Sequence, residues 1–124
     1  MALSTSRCAD VLLLRPKGRI DHNNAEEFAD AVKPYLADCK AGGDSLIFDL
    51  SELEYISSAG LRVLMLVSKN VGPNGGKVAL AQPQRVVGEI LQISRFKYVF
   101  PIHDTVAAGI AALSPDAAAA YART

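Results

Sequence analysis

The chain has 124 residues, of which half are hydrophobic and 21% charged, the size and composition of one ordinary folded domain and not of a disordered, collagen-like or disulfide-stapled chain. Thirteen basic residues balance thirteen acidic ones, so the basic excess expected of a nucleic-acid binder is absent. No apolar run approaches the roughly 18 residues needed to span a bilayer.

The first apolar run, Val11 to Leu14, is too short for a signal-peptide core and is stopped by Pro16. Cys8 and Cys39 are far apart and lack CxxC or Cys/His spacing, which points to two unpaired thiols in a reducing compartment. The chain therefore reads as a cytoplasmic protein of one domain over residues 1–124.

Val11 to Arg15 is a short aliphatic strand, and Arg19-Ile20-Asp21 resumes an extended stretch after Pro16 and Gly18. From Asn24 the period changes: Ala25, Phe28, Ala29, Val32 and Leu36 share one helical face. Asn23 or Asn24 can cap this helix, and Pro34 should kink it or end its regular part. Gly42-Gly43-Asp44 breaks the chain before Leu46 to Leu50, a continuous apolar strand of the kind buried on both faces. Leu61 to Val67 is apolar almost all round, so its helix should be covered on more than one side.

A Gly/Pro-rich breaker at 72–76 leads to a strand over Lys77 to Ala81. Pro83 suits the first turn of a helix carrying Val86, Val87, Ile90, Leu91 and Ile93. Tyr98 to Ile102 reads as a short strand, held at an edge by Pro101. Asp104 or Thr105 can cap a last helix that ends before Ser114-Pro115. The alanine-rich tail, 114–124, offers little apolar area and reads as a frayed helix or as disordered. Alternating strands and helices give an α/β fold: a mostly parallel mixed sheet of about five strands with about four helices, in which the first strand pair supplies an antiparallel or edge element.

In such folds sites form where strand ends lead into helix N-termini. Two places qualify: Gly18 to Asn24, and Asp49 to Ser51 together with Tyr55 to Arg62. Ser57 and Ser58 fall where a helix should begin. They can be read as simple N-caps, or as a hydroxyl exposed at a helix N-terminus and able to carry a phosphoryl group. Gly60 costs up to ~1 kcal/mol of helix propensity against alanine, which fits either close approach by a partner or relief of packing against a strand.

Enzyme readings fail on spacing. A nucleophile elbow needs glycine where Ile56 stands. The Gly-rich stretch ending at Lys77 is one residue short of a phosphate-binding P-loop and lacks its Ser/Thr. His22 and His103 are solitary, and Asp21 and Asp49 can be read as a converging acid pair or as loop and helix caps. Neither a catalytic residue, a metal ligand nor a cofactor site emerges.

Gly18-Arg19-Ile20-Asp21 with Asn24-Ala25 and Phe28, then Ile47 to Ser51, then Ile56 to Leu64, resembles the STAS domain, shared by sulphate transporters and bacterial anti-sigma factor antagonists. The resemblance runs over about 9–113. It implies a small α/β protein that binds an anti-sigma factor with a serine-kinase fold and is phosphorylated by it at a serine near the start of the second helix. Phosphorylation breaks that contact, and a serine phosphatase restores it. Alignment on Gly60 places Ala59 beside the glycine, Ser58 at the earlier acceptor position and Ser57 where many relatives have aspartate, with Ser57 as the alternative acceptor. Asp21, Asn24, Ser57, Ser58, Ala59, Gly60 and Arg62 are the partner-binding positions that the resemblance implies. A second role within the same family is a cytoplasmic subunit of a transport system, regulatory rather than catalytic.

Overall fold

The computed structural model of the chain describes residues 3–123. Its centre is a five-stranded sheet in the order β1-β2-β4-β6-β7, in which β1 (Leu3–Cys8) runs antiparallel to β2 (Val11–Pro16). β2, β4 (Ser45–Asp49), β6 (Val78–Ala81) and β7 (Ile102–His103) are parallel neighbours. Among the described residues five α-helices complete the fold: α1 (Ala25–Val32), α2 (Ser58–Val71), α3 (Arg85–Ile93), α4 (Val106–Leu113) and α5 (Pro115–Ala122).

The aliphatic runs are continuous because the sheet is buried on both faces. Successive side chains point to opposite sides. Leu12, Leu14, Leu46, Phe48, Val78 and Leu80 join the core under α1, α2 and α3. Val11, Leu13, Ile47, Ala79 and Ala81 meet Val106 and Ile110 of α4 and Ala117 of α5. Phe28 of α1 meets Phe48 edge-on, with ring centroids 6.2 Å apart.

Four expectations are corrected. The antiparallel partner of β2 is β1, not the stretch at Arg19. That stretch is β3 (Gly18–Ile20), which leaves the main sheet and pairs in parallel with β5 (Leu53–Ile56), a strand left unread in the sequence. Phe96–Tyr98 form a 3-10 turn after Arg95, which is left-handed at φ 59°, so the last strand keeps only Ile102–His103. Phe96 in the turn and Phe100 after it are buried in the core, whereas Tyr98 is exposed. The tail forms α5: Ser114 Oγ accepts from Ala117 N–H at 3.2 Å and donates to Asp10 Oδ1 at 2.6 Å, pinning the helix to the β1–β2 turn.

Helix caps follow the sequence in part. Thr105, not Asp104, caps α4, accepting from Ala108 N–H at 3.1 Å. Pro83 precedes α3 rather than opening it, since Gln84 holds the N-cap position. Pro34 sits in a 3-10 turn, Lys33–Tyr35, that ends the regular part of α1.

Candidate functional site

The small β3–β5 sheet brings the two strand-to-helix loops together. Gly18, at φ 87°, turns the chain out of β2, and its N–H donates to Glu52 C=O at 3.0 Å. Ile20 and Ile56 close the two strands as register partners. Directly beyond them, Ser57 N–H donates to Ile20 C=O at 2.8 Å, so the start of α2 is tied to the loop that enters α1.

Ser57 is fully engaged. It is the N-cap, with extended backbone, and its Oγ accepts from Gly60 N–H at 3.3 Å. Its carbonyl accepts from Leu61 N–H at 2.9 Å. Ser58 is the first helical residue, it is exposed, and its hydroxyl has no partner among the described residues. The two serines therefore divide the roles that the sequence left open: the first caps, and the second presents its hydroxyl to solvent.

Gly60 is buried, and a methyl group there would stand 2.7 Å from both Ile20 Cγ2 and Ile56 Cγ1. The close approach it permits is to the sheet beneath it. Ala59 is half-buried against the core, and Arg62 is exposed.

The loop before α1 is built by Asn24 and Asp21. Asn24 Oδ1 accepts from Asp21 N–H at 2.8 Å, and its Nδ2 donates to Arg19 C=O at 2.8 Å. Asn24 thus spends its side chain on the preceding loop and makes no side-chain cap of its own helix. Asp21 Oδ1 accepts from Asn23 N–H at 2.9 Å, the local turn typical of aspartate. On β3 and β5, Arg19 lies over the Tyr55 ring at 4.5 Å.

Asp49 does not join Asp21 as an acid pair. It is buried, with Oδ2 accepting from Arg15 Nε at 2.8 Å and Oδ1 from Ser51 N–H at 3.0 Å. The hydrogen bond to Asp49 raises the guanidinium pKa of Arg15. Gln84 Nε2, donating to Ser51 C=O at 2.8 Å, ties this corner to the start of α3. His22 is exposed in the loop, and His103 Nε2 is buried without a partner among the described residues. Cys8 and Cys39 are both free thiols; burial pushes the Cys39 thiol pKa up. Among the described residues no group of three His, Cys, Asp or Glu side chains is placed to hold a metal ion, and no helix is long and apolar enough to cross a membrane.

One feature of the surface went unread in the sequence. Helix α2, expected to be covered on more than one side, leaves Leu66 55% exposed. Ser58, Arg62 and Leu66 follow each other at i, i+4 and i+8, so they share one face. The four-residue spacing was available in the sequence, but the surrounding leucines and valines hid which apolar residue faces out.

A mostly parallel mixed sheet between two helix layers makes this an α/β protein. The STAS domain model matches residues 3–109, and the chain belongs to the STAS domain family. It is 32% identical over 112 residues to BtrV of Bordetella bronchiseptica, named as an anti-sigma factor antagonist, covering 90% of this chain and 94% of that protein. It is similar to the crystal structure of a Thermotoga maritima protein described in the same terms, with a TM-score of 0.77 and 26% identity over 86% of this chain and 90% of that one. The fold is also that of Bacillus SpoIIAA in its phosphorylated form, at a TM-score of 0.67 and 16% identity, covering 91% of this chain and all of that one.

Proposed function

We propose that the protein is an anti-sigma factor antagonist, which in its unphosphorylated form binds an anti-sigma factor of the serine-kinase class and is released by phosphorylation of Ser58. The observation that carries this reading is the division of labour between the serines: Ser57 is used up as the cap, while Ser58 is exposed with an unpartnered hydroxyl. The relatives named as anti-sigma factor antagonists support it. In the transfer, Ser58 Oγ forms a bond to the γ-phosphorus of ATP as the bond to the β–γ bridging oxygen breaks. ADP leaves, and the hydroxyl proton passes to a base on the kinase. A serine phosphatase reverses the modification by hydrolysis.

Asp21 and Asn24, in the loop tied to Ser57, flank the acceptor and belong to the same partner surface. Ala59 and Gly60 shape that surface from beneath, and Arg62 and Leu66 extend it along α2. A phosphate adds about −1.5 to −2 charges at pH 7. Against a partner surface shaped for a hydroxyl, a penalty of about 2–3 kcal/mol for desolvating that charge lowers affinity roughly thirty- to 150-fold.

Incubation with the cognate kinase and ATP, followed by mass spectrometry and binding measurements, tests this. Ser58→Ala is expected to bind and resist phosphorylation, Ser58→Asp to lose most of its binding, and Ser57→Ala to remain phosphorylatable. Phosphate on Ser57, with Ser58→Ala still modified, overturns the choice of acceptor.

A further inference from the structure

Ser58 and Arg62 stand four residues apart in the first turns of α2, whose Leu61 N–H to Ser57 C=O bond of 2.9 Å shows a regular start. Residues at this spacing have Cβ atoms about 5–6 Å apart on one face, a gap that an arginine side chain spans. Both residues are exposed. Arg7, Arg15 and Arg85 each pair with a carboxylate, whereas Arg62 makes no ion pair or side-chain hydrogen bond among the described residues.

We propose that Arg62 is the cation that holds the phosphate carried by Ser58, so that one modification adds a dianion and withdraws a guanidinium from the partner surface. The inference rests on Ser58 being the acceptor. Anion before cation along the chain is the favourable order for a helical pair, and the planar guanidinium bonds phosphate oxygens two at a time. The register also separates the two serines. Four residues after Ser57 stands Leu61, half-buried in the core, so a phosphate on Ser57 has no cation on its own helix face. The acid in the loop before α1, Asp21, accepts from Asn23 N–H through Oδ1 and makes no ion pair among the described residues. In the unmodified protein Arg62 is then available to a carboxylate of the partner, one turn from the acceptor hydroxyl. After phosphorylation the phosphate competes for it within the molecule.

The test uses the full chain with phosphoserine installed at position 58 during synthesis, which removes the kinase from the measurement. Phosphorus NMR follows the second ionisation of the phosphate, ordinarily near pH 6. Arg62→Gln should raise that pKa by about 0.3 unit, with Arg62→Lys in between. The same Arg62→Gln change should leave phosphoserine installed at 57 unmoved. Without phosphate, Arg62→Gln should weaken binding to the cognate kinase about three- to tenfold. Identical titration of phosphoserine 58 with Arg62 in place and in the Arg62→Gln variant overturns the clamp. Undiminished kinase binding by Arg62→Gln overturns the withdrawal. Phosphorylation by the kinase at another residue instead overturns the acceptor assignment, an outcome read by mass spectrometry and separate from the titration.

Discussion

A methyl group at position 60 has nowhere to go. Helix propensity alone favours alanine over glycine there by up to ~1 kcal/mol. The added carbon would lie 2.7 Å from Ile20 Cγ2 and from Ile56 Cγ1, both on buried strand-end residues. Overpacking a tight site costs typically 1–3 kcal/mol, so the clash outweighs the gain. Gly60→Ala is expected to lower stability by about 1–2 kcal/mol, measured by urea unfolding with an unchanged slope. An increase in stability would mean that the strand pair yields freely. The same two isoleucines explain why the glycine belongs to the fold although it sits within the candidate site: the first turn of α2 must lie almost on the β3–β5 pair for Ser57 N–H to reach Ile20 C=O.

At the scale of elements, the least expected piece is α5. Four alanines in a row bury little area each, yet Ala117 is fully buried against the sheet. Small side chains let the helix lie close, as Gly109 does in α4, where a methyl group would meet Ile47 Cδ1 at 2.5 Å. Ser114 carries the joint by capping α5 and bonding Asp10. Ser114→Ala should cost about 1–2 kcal/mol, with hydrogen exchange quickening in α5 and β1 before α2. Uniform quickening would show that the tail is not a separate unit. Strands buried on both faces were legible in the sequence, because continuous aliphatic runs such as Val11 to Leu14 permit little else. The strands that escaped notice lack that signal: β1 is exposed at Ser4, Thr5, Ser6 and Arg7, and in β5 the exposed Glu54 interrupts the apolar residues. The candidate site was legible as a stretch of chain and not as geometry. Two adjacent serines carry equal cap propensity, and only the fold assigns one to Gly60 N–H and the other to solvent.

For the molecule as a whole, most charge sits at the rim and the one buried carboxylate among the described residues, Asp49, is paired with Arg15, so its electrostatic responses should be local. Arg7 grips Asp44 through two bonds of 2.7 and 2.9 Å, fastening the edge strand β1 to the chain entering β4. The hydrogen bond from Arg7 holds the Asp44 carboxyl below its usual range. A depressed folded-state pKa contributes stability above the unfolded value, near 4, and loses it as pH falls through the folded value. For an exposed pair this is worth about 0.2–1 kcal/mol, so Arg7→Gln should flatten the acid limb of the stability curve by that amount, and high salt should do the same. The proposed phosphate on Ser58 would present the larger charge change, taking a chain of formal net charge zero to about −2. That charge would lie at the N-terminus of a fourteen-residue helix, where the macrodipole favours a negative charge by roughly 0.3–1 kcal/mol. Beneath it lie Gly60, Ile20 and Ile56, packed so closely that even a methyl group on Gly60 would stand 2.7 Å from each isoleucine. Ser58-phosphorylated protein should therefore unfold within about 1 kcal/mol of the unmodified chain, and its amide shifts should be confined to 19–24 and 57–62. Shifts spreading into α4 and α5, across the sheet, would instead mean that phosphorylation acts by reshaping the fold and not by changing one face of it.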